Sequence, residues 1–160
     1  MKITILCVGK IKEKFYTQAV EEYVKRLGRY ASMEVLEVAD EKTPDKASDH
    51  ECDLIRQREG TRLLHQIEGR HAYVIALAID GKAMDSVELS EQLHDCMVSG
   101  CSHIIFVIGG SLGLSQEVLR AADLRLSFSR MTFPHQLMRV ILAEQIYRAF
   151  RIMNHEPYHK

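Results

Sequence analysis

The sequence contains no tryptophan, only three prolines and no long hydrophobic run. Its longest apolar stretch, residues 72–79, is far shorter than the ~20 residues of a membrane-spanning helix. The first residues form a short apolar run without a cleavage-site pattern, so we expect no signal peptide. These absences predict a cytoplasmic protein with no membrane partner, whose residues 1–160 fold as one domain.

The chain also has little net charge, −1, which excludes a global attraction to nucleic acid or anionic lipid. The charge is unevenly distributed, however. Residues 34–59 carry nine acidic and four basic side chains, whereas residues 125–160 carry six basic and two acidic ones. The basic C-terminal third indicates either a local anion-binding surface or arginines that simply solvate a helix.

Several familiar catalytic motifs are missing. There is no GxGxxG after the first strand, no GxxxxGK[ST] loop, no GxSxG motif and no obvious pair of carboxylates in the loops. These absences argue against a Rossmann dinucleotide site, a P-loop, an esterase and a glycoside hydrolase.

The four cysteines favour reduced thiols over a disulfide framework, because no export signal is present. His94, Cys96, Cys101 and His103 lie close together in sequence and have the side chains of a zinc site. Their spacing lacks the usual short CxxC pair. We therefore expect no bound metal, and a metal-dependent regulator remains a minor alternative.

Hydrophobic periodicity predicts alternating strands and helices. The predicted strands are 3–8, 33–38, 73–79, 104–108 and 124–128, and the predicted helices are 13–27, 48–67, 86–98, 115–122 and 134–154. Ser115 is the expected N-cap of the fourth helix, and Pro134 suits the first position of the fifth. This order predicts an α/β fold with a mostly parallel sheet and helices on both faces. The polar connection 40–49 is the segment expected to be most mobile.

Two loops follow predicted strands in the last third of the chain. The first is the glycine turn Gly109-Gly110-Ser111-Leu112-Gly113, and the second is residues 129–135, rich in hydroxyl groups. Glycines after a strand allow a ligand to approach the backbone closely, and the second loop offers hydrogen-bond donors at a helix start. The pair predicts one pocket for a nucleotide-like ligand, with a simple tight turn as the alternative for the glycines.

The predicted last helix is apolar around almost its whole circumference. A helix of this kind is buried on several sides. It predicts either a homodimer interface or a helix packed deep within its own domain, and the two are compatible.

Five segments of the chain together resemble a known family. They are residues 2–10, residues 106–113, residues 126–135, residues 139–149 and the final Pro157-Tyr158-His159-Lys160. The chain is similar over its full length to the ribosomal RNA large subunit methyltransferase H family. This family lies within the SPOUT (α/β-knot) superfamily of S-adenosylmethionine-dependent RNA methyltransferases.

The resemblance implies a C-terminal trefoil knot, an exception to the rule that chains do not thread their own loops. It also implies a homodimer with active sites at the subunit interface. The implied reaction is methyl transfer from S-adenosyl-L-methionine to N3 of a pseudouridine in 23S rRNA on the assembled ribosome. A SPOUT enzyme acting on another RNA, such as tRNA, and a non-catalytic ribosome-binding factor are the alternatives.

The resemblance also implies which residues of this chain contact the cofactor. The expected cofactor contacts are Leu77, the glycine-turn residues Gly109, Gly110 and Gly113, and the run Phe128, Ser129, Arg130, Met131, Thr132 and Phe133. No metal is required for this reaction, because the sulfonium already activates the methyl group.

The expected catalytic residues are His135, Arg139, Tyr158 and His159. His135 would orient or deprotonate the base, or else make a structural hydrogen bond at the helix start. Arg139 would hold phosphate or an oxyanion, or else pair with Glu144 of a partner subunit. Tyr158 and His159 fit base stacking and proton transfer, although a terminal tail is ordinarily disordered.

Overall fold

Strands and helices alternate along all 160 residues of the computed structural model. The strands are β1 (Lys2–Val8), β2 (Ser32–Val38), β3 (Tyr73–Ala83), β4 (His103–Ile108) and β5 (Leu124–Ser127). The helices are α1 (Lys14–Leu27), α2 (Asp49–Ile67), α3 (Ser86–Val98), α4 (Gln116–Ala121) and α5 (His135–Met153). All ten predicted elements are confirmed, and β3 continues four residues beyond its predicted end.

The five strands form one sheet in the order β2-β1-β4-β3-β5, and every neighbouring pair is parallel. The predicted α/β class is therefore confirmed. All six residues of the central strand β4 are buried, as expected for a strand that helices cover on both faces. The C-terminal knot implied by the resemblance stays a prediction.

Helices cover both faces of the sheet, and each face has its own hydrophobic cluster. The larger cluster joins Leu27 of α1, Leu93 of α3 and Phe150 of α5 to the sheet. The smaller one joins Leu63 of α2 and Val118 of α4 to the opposite face. Helices α1, α3 and α5 therefore form one layer, and α2 and α4 form the other.

Polar side chains cap three helices: Ser48 caps α2, Asp85 caps α3 and Ser115 caps α4. The Ser48 hydroxyl accepts a hydrogen bond from the backbone N–H of Glu51. The Glu51 carboxylate in turn accepts one from the backbone N–H of Ser48, and the two bonds form a capping box. Ser115 caps α4, as predicted. Pro134 precedes α5 instead of starting it, because its ψ of 131° is extended, so the helix begins one residue later than expected.

Strands β3, β4 and β5 lie side by side, so the segments at their carboxyl ends meet at one edge of the sheet. A break in register between Leu77 and Lys82 lets β3 bulge where it pairs with β5. In α/β sheets, ligands bind outside the carboxyl ends of the strands. No helix in the chain is both long enough and apolar enough to cross a membrane.

Candidate functional site

A cavity of about 630 Å³ opens at this edge of the sheet. Its walls are the end of β3, the glycine turn after β4, and the loop between β5 and α5. The lining residues are Leu77, Ala78, Ile79, Ile108, Gly109, Gly110, Ser111, Leu112, Gly113, Leu126, Phe128, Ser129, Met131, Thr132, Phe133, Pro134, His135 and Met138. A mostly apolar concavity of this volume, with a few polar groups, is typical of a small-molecule or cofactor site.

The glycine turn needs its glycines for two different reasons. A Cβ on Gly109 would lie 2.7 Å from the carbonyl carbon of Gly113, so the backbone could not close here around a side chain. Gly113 itself has a φ of +79°, in the left-handed region that glycine adopts most easily. The turn is closed by the backbone N–H of Gly113, which donates to the carbonyl of Gly110 at 3.1 Å. It is thus a tight turn and a wall of the cavity at once.

The second loop is held by hydroxyl groups. Ser127 donates to the carbonyl of Ile79 at 2.9 Å, and Ser129 accepts from the backbone N–H of Met131 at 3.0 Å. At the mouth of the cavity the side chains of Ile79 and Met131 are 52% and 71% exposed. Exposed apolar side chains beside a pocket indicate a surface that a ligand or partner covers.

Nine of the ten predicted cofactor residues line this cavity, and Arg130 does not. Arg130 is exposed on the loop. Contact of the nine with a cofactor stays a prediction. The motifs did not indicate Met138, which lies one turn into α5. Only the packing of α5 against the end of the sheet brings it to the cavity wall.

His135, the first residue of α5, also lines the cavity. Burial of its ring, followed by the nearby Arg139 guanidinium, lowers the pKa of the imidazole below its usual value. A lowered pKa keeps the ring neutral at pH 7, and a neutral imidazole is able to accept a proton. The geometry therefore suits the predicted role of a base at this position.

Arg139 occupies a different place from the one expected. Its side chain is fully buried, and it pairs with Glu37 at 2.6 Å. It also donates to the carbonyls of Val8 at 3.0 Å and Gly9 at 2.7 Å. A guanidinium enclosed in this way has no room for a phosphate or an oxyanion. Instead, it fastens the start of α5 to the ends of β1 and β2.

The alternative pairing of Arg139 with Glu144 of a partner subunit does not fit either. Within the chain, Glu144 pairs with Arg148 at 2.5 Å and accepts a hydrogen bond from the Tyr158 hydroxyl at 3.0 Å. Glu144 therefore holds the C-terminal tail against α5 through Tyr158.

The tail is packed onto the far half of α5. The Tyr158 ring meets Tyr147 edge-on, with centroids 5.0 Å apart, and the Arg148 guanidinium lies 4.7 Å from its centroid. Burial and the bond to Glu144 raise the pKa of Tyr158 to about 12. The exposed His159 reaches Arg148, with 3.4 Å between Nδ1 and Nη1. Tyr158 thus has a fixed place on the protein surface.

The structure does not bring all four predicted catalytic residues together. Along α5, His135 and Arg148 are 13 residues apart, which corresponds to about 20 Å of helix. Tyr158 and His159 therefore contact the second half of α5, beyond the part of the helix that lines the cavity of their own chain.

The cysteine and histidine cluster has other partners. His103 Nε2 lies 2.9 Å from the Thr4 hydroxyl, and the Cys101 thiol contacts the carbonyl of His103 at 3.0 Å. All four cysteines are free thiols. No group of three or more His, Cys, Asp or Glu side chains is arranged to hold a metal ion.

Comparisons with known proteins agree with this architecture. A family model described as "Predicted SPOUT methyltransferase" matches residues 1–159. The ribosomal RNA large subunit methyltransferases H of Clostridioides difficile (strain 630) and Clostridium botulinum (strain Hall) are each 56% identical over 160 residues, covering all of both chains.

A solved structure, that of a probable methylase family protein from Haemophilus influenzae Rd KW20, has a similar fold, with a TM-score of 0.53 at 12% identity. The match covers 96% of this chain and 66% of that one. With a family model spanning nearly the whole sequence and full-length relatives above half identity, this chain belongs to the SPOUT methyltransferases, within the ribosomal RNA large subunit methyltransferase H family.

Proposed function

We propose that this chain methylates N3 of a pseudouridine in 23S rRNA on the assembled ribosome, with S-adenosyl-L-methionine as the methyl donor. The observation that carries the proposal is the cavity between the glycine turn and the loop 128–134, in a methyltransferase of this family. We infer further that residues 1–160 act as one domain and that the working unit is a homodimer.

The cavity suits the proposed donor. Leu77, Ile108 and Phe128 offer apolar surface for an adenine ring, and the glycine turn exposes backbone groups without Cβ atoms in front of them. When bound, S-adenosylmethionine supplies a methyl group activated by a positively charged sulfur. The remaining tasks of the protein are to align the base with that methyl group and to accept the proton from N3.

We assign proton acceptance to His135 or to His159. His135 borders the cavity and has a lowered pKa, so its ring is neutral and ready to accept a proton at pH 7. Tyr158 is unsuited to that step, because a phenol with a pKa of about 12 stays protonated. Because its one hydroxyl proton is donated to Glu144, its ring would act as a stacking surface for the base. Arg139 acts as a positioning residue, since it anchors the helix turn that carries His135.

A second copy of the chain would complete the site. Tyr158 and His159 contact Glu144 and Arg148, which lie about 9 and 15 Å along α5 beyond Met138 of the cavity wall, so they would serve the cavity of a partner subunit. The outward strip of α5 supports this arrangement. Leu137, Val140 and Ile141 are only partly buried there, whereas the opposite side of the helix packs on α1 and α3. A partly exposed apolar strip next to the cavity fits a two-fold interface.

The function is tested by incubating the purified protein with methyl-labelled S-adenosylmethionine and four substrates: intact ribosomes, 50S subunits, naked 23S rRNA and tRNA. We expect label only in 23S rRNA, and most from ribosomes, because a chain of net charge −1 has little affinity for free RNA. Mass spectrometry of rRNA fragments should then locate one added methyl on a pseudouridine.

The other outcomes separate the alternatives. Label in tRNA alone would contradict the rRNA assignment and leave a SPOUT enzyme with a different substrate. Failure to bind S-adenosylmethionine at millimolar concentration in isothermal titration would contradict the enzyme assignment. That result would favour a ribosome-binding factor.

A further inference from the structure

One face of α2 packs against the glycine turn on the side away from the cavity. Arg56, Glu59 and Gly60 follow a spacing of i, i+3 and i+4, so they lie on the same side of this helix. Arg56 donates to the carbonyl of Leu112 at 3.3 Å. A Cβ on Gly60 would lie 2.4 Å from the Ser115 hydroxyl, so α2 packs as closely as a bare backbone allows against the end of the turn.

Glu59, between these two contacts, is a buried acid with one unused oxygen. Its side chain is almost completely enclosed, and the residue is 4% exposed. One carboxyl oxygen, Oε1, accepts the backbone N–H of Glu41 at 3.0 Å. The other, Oε2, is buried and has no hydrogen-bond partner. An unpaired buried polar atom is costly, and such atoms are rare in folded proteins.

The unused oxygen lies against the glycine turn. A Cβ placed on Gly110 would be 3.0 Å from Oε2 and 3.2 Å from the side chain of Val8. Gly110 therefore leaves the space that the carboxyl group occupies. Burial raises the pKa of Glu59, and the Asp40 and Glu41 carboxylates add to the rise, while the hydrogen bond from the Glu41 backbone and the Arg62 charge oppose it. The free protein thus keeps an acid in an unfavourable environment directly behind its ligand cavity.

The same acid also connects the turn to the segment after β2. Glu41 donates to Glu59, Arg62 of α2 donates to the carbonyl of Ala39 at 2.8 Å, and the Thr43 hydroxyl lies 3.4 Å from that of Ser111. The glycine turn is consequently enclosed by α2 and the segment 39–43 on the side away from the cavity. A shift of the turn toward or away from a ligand changes its distance to Glu59.

We propose that Glu59 is a positioning residue for the methyl donor: its free oxygen accepts a hydrogen bond from a backbone N–H of the turn Gly109–Gly113 when the bound ligand, in contact with the cavity side of that turn, holds it against α2. The inference rests on the proposed function, because the ligand in question is S-adenosylmethionine. Glu59 itself stays behind the turn and touches neither donor nor RNA. Ligand binding then supplies the partner that the free protein lacks.

The test is the substitution Glu59→Gln. A glutamine side chain has one acceptor oxygen where the carboxylate has two, so it cannot serve both the N–H of Glu41 and the N–H of the turn. We expect at least tenfold weaker binding of S-adenosylmethionine by isothermal titration. We also expect a raised KM for this donor, with kcat at saturating donor close to that of the wild type. The melting temperature should not fall, because the variant removes a buried acid that lacks a partner.

Glu68→Gln is the matched control. It makes the same chemical change on an exposed residue at the end of the same helix, and it should leave both binding and melting temperature unchanged. Hydrogen exchange of the wild type supplies a measurement that does not depend on any variant. Backbone amides within the turn should become protected when S-adenosylmethionine is added.

Three results would contradict the proposed role of Glu59. Unchanged donor affinity in Glu59→Gln, with or without a change in melting temperature, would overturn the proposal and leave the proposed function intact. Absence of new protection in the turn of the wild-type protein on donor binding would overturn it as well. If the wild type does not bind the donor at all, the proposed function fails, and this inference fails with it.

Discussion

The two ends of α5 are built in different ways. At its start, the cavity is formed by backbone and apolar side chains, with glycines where the chain must pass closely. At its end, the tail is held by charged and aromatic side chains, with Tyr158 between Arg148 and Glu144. The first end is a concave cavity within one chain. The second is a packed tail whose His159 is exposed and contacts Arg148.

The two ends of α5 also differ in the direction in which they shift side-chain pKa values. Burial lowers the pKa of His135 beside the cavity, whereas burial and Glu144 raise the pKa of Tyr158 to about 12. The difference indicates a division of work. Under the proposed function, the cavity end would hold the donor and offer a neutral base, and the tail end would offer an aromatic surface to a neighbouring site.

The largest effects should come from the two histidines. In His135→Ala and in His159→Ala, loss of a proton-transfer group should lower turnover by roughly 10²–10⁴-fold, with donor affinity largely intact. Mixing the two inactive variants sharpens the comparison. If a site takes His135 from one copy and His159 from the other, reassociated dimers should regain about a quarter of the wild-type activity, since half of them carry one intact site. Wild-type turnover in both variants would contradict these roles.

Removal of the Arg139 side chain should produce the next largest effect, on stability. Arg139→Ala leaves Glu37 and the carbonyls of Val8 and Gly9 without their buried partner. We expect a loss of about 3–5 kcal/mol in the free energy of unfolding, measured by denaturant titration. Arg130→Ala, on the exposed loop, should change it by no more than about 0.5 kcal/mol. A loss of activity without a loss of stability in Arg139→Ala would show that the positioning role is wrong.

Gly109→Ala should disturb the cavity at the start of α5 and leave the tail unaffected. The added Cβ would collide with the backbone of Gly113, at 2.7 Å, and would force the turn open. We expect donor affinity to fall by about 10²-fold, a cost typical of displacing binding groups by about 1 Å. Gly100→Ala, at a positive φ with no atom near its Cβ, is the control for backbone strain, and it should leave donor binding unchanged. Similar binding losses in the two variants would contradict a specific role for the turn.

Tyr158→Phe should have the smallest effect. It deletes one hydrogen bond to a carboxylate, worth about 1.5–3 kcal/mol, and should leave donor binding intact. Because folding raises the pKa of this phenol from 10.0 to about 12, its contribution is fully present below pH 10 and is lost as the pH rises toward 12. The difference in unfolding free energy between the two proteins should shrink over that range. A constant difference would mean that the hydroxyl does not bond to Glu144.

Sequence patterns predicted the ten elements well because each carries a local signal. The buried run of β4 and the Ser115 cap are examples in which the residues themselves fix the outcome. Pro134 illustrates the limit of such signals. Proline is acceptable both before a helix and in its first position, so only the backbone angles decide between the two.

The site was only partly predictable. Its motif residues were found because glycine turns and hydroxyl-rich loops after strands have a recognisable composition. Arg139 was misplaced because a sequence shows that an arginine is present and not which way it points. Glu59 was missed for a similar reason. It lies in a helix rich in charges, where nothing local distinguishes one buried acid from its exposed neighbours. The segment 40–49 was expected to be mobile, yet Glu41 and Thr43 contact the back of the site.

The sequence by itself determined the alternation of strands and helices, the glycine turn and the family, since these depend on residue type and spacing along the chain. Only the tertiary structure decided which residues share a site. It brought three strand ends into one cavity, turned Arg139 inward and packed the tail on the second half of α5, beyond the cavity wall. The physical reason is that burial and hydrogen-bond partners are properties of the packed chain, and residues far apart in sequence supply them.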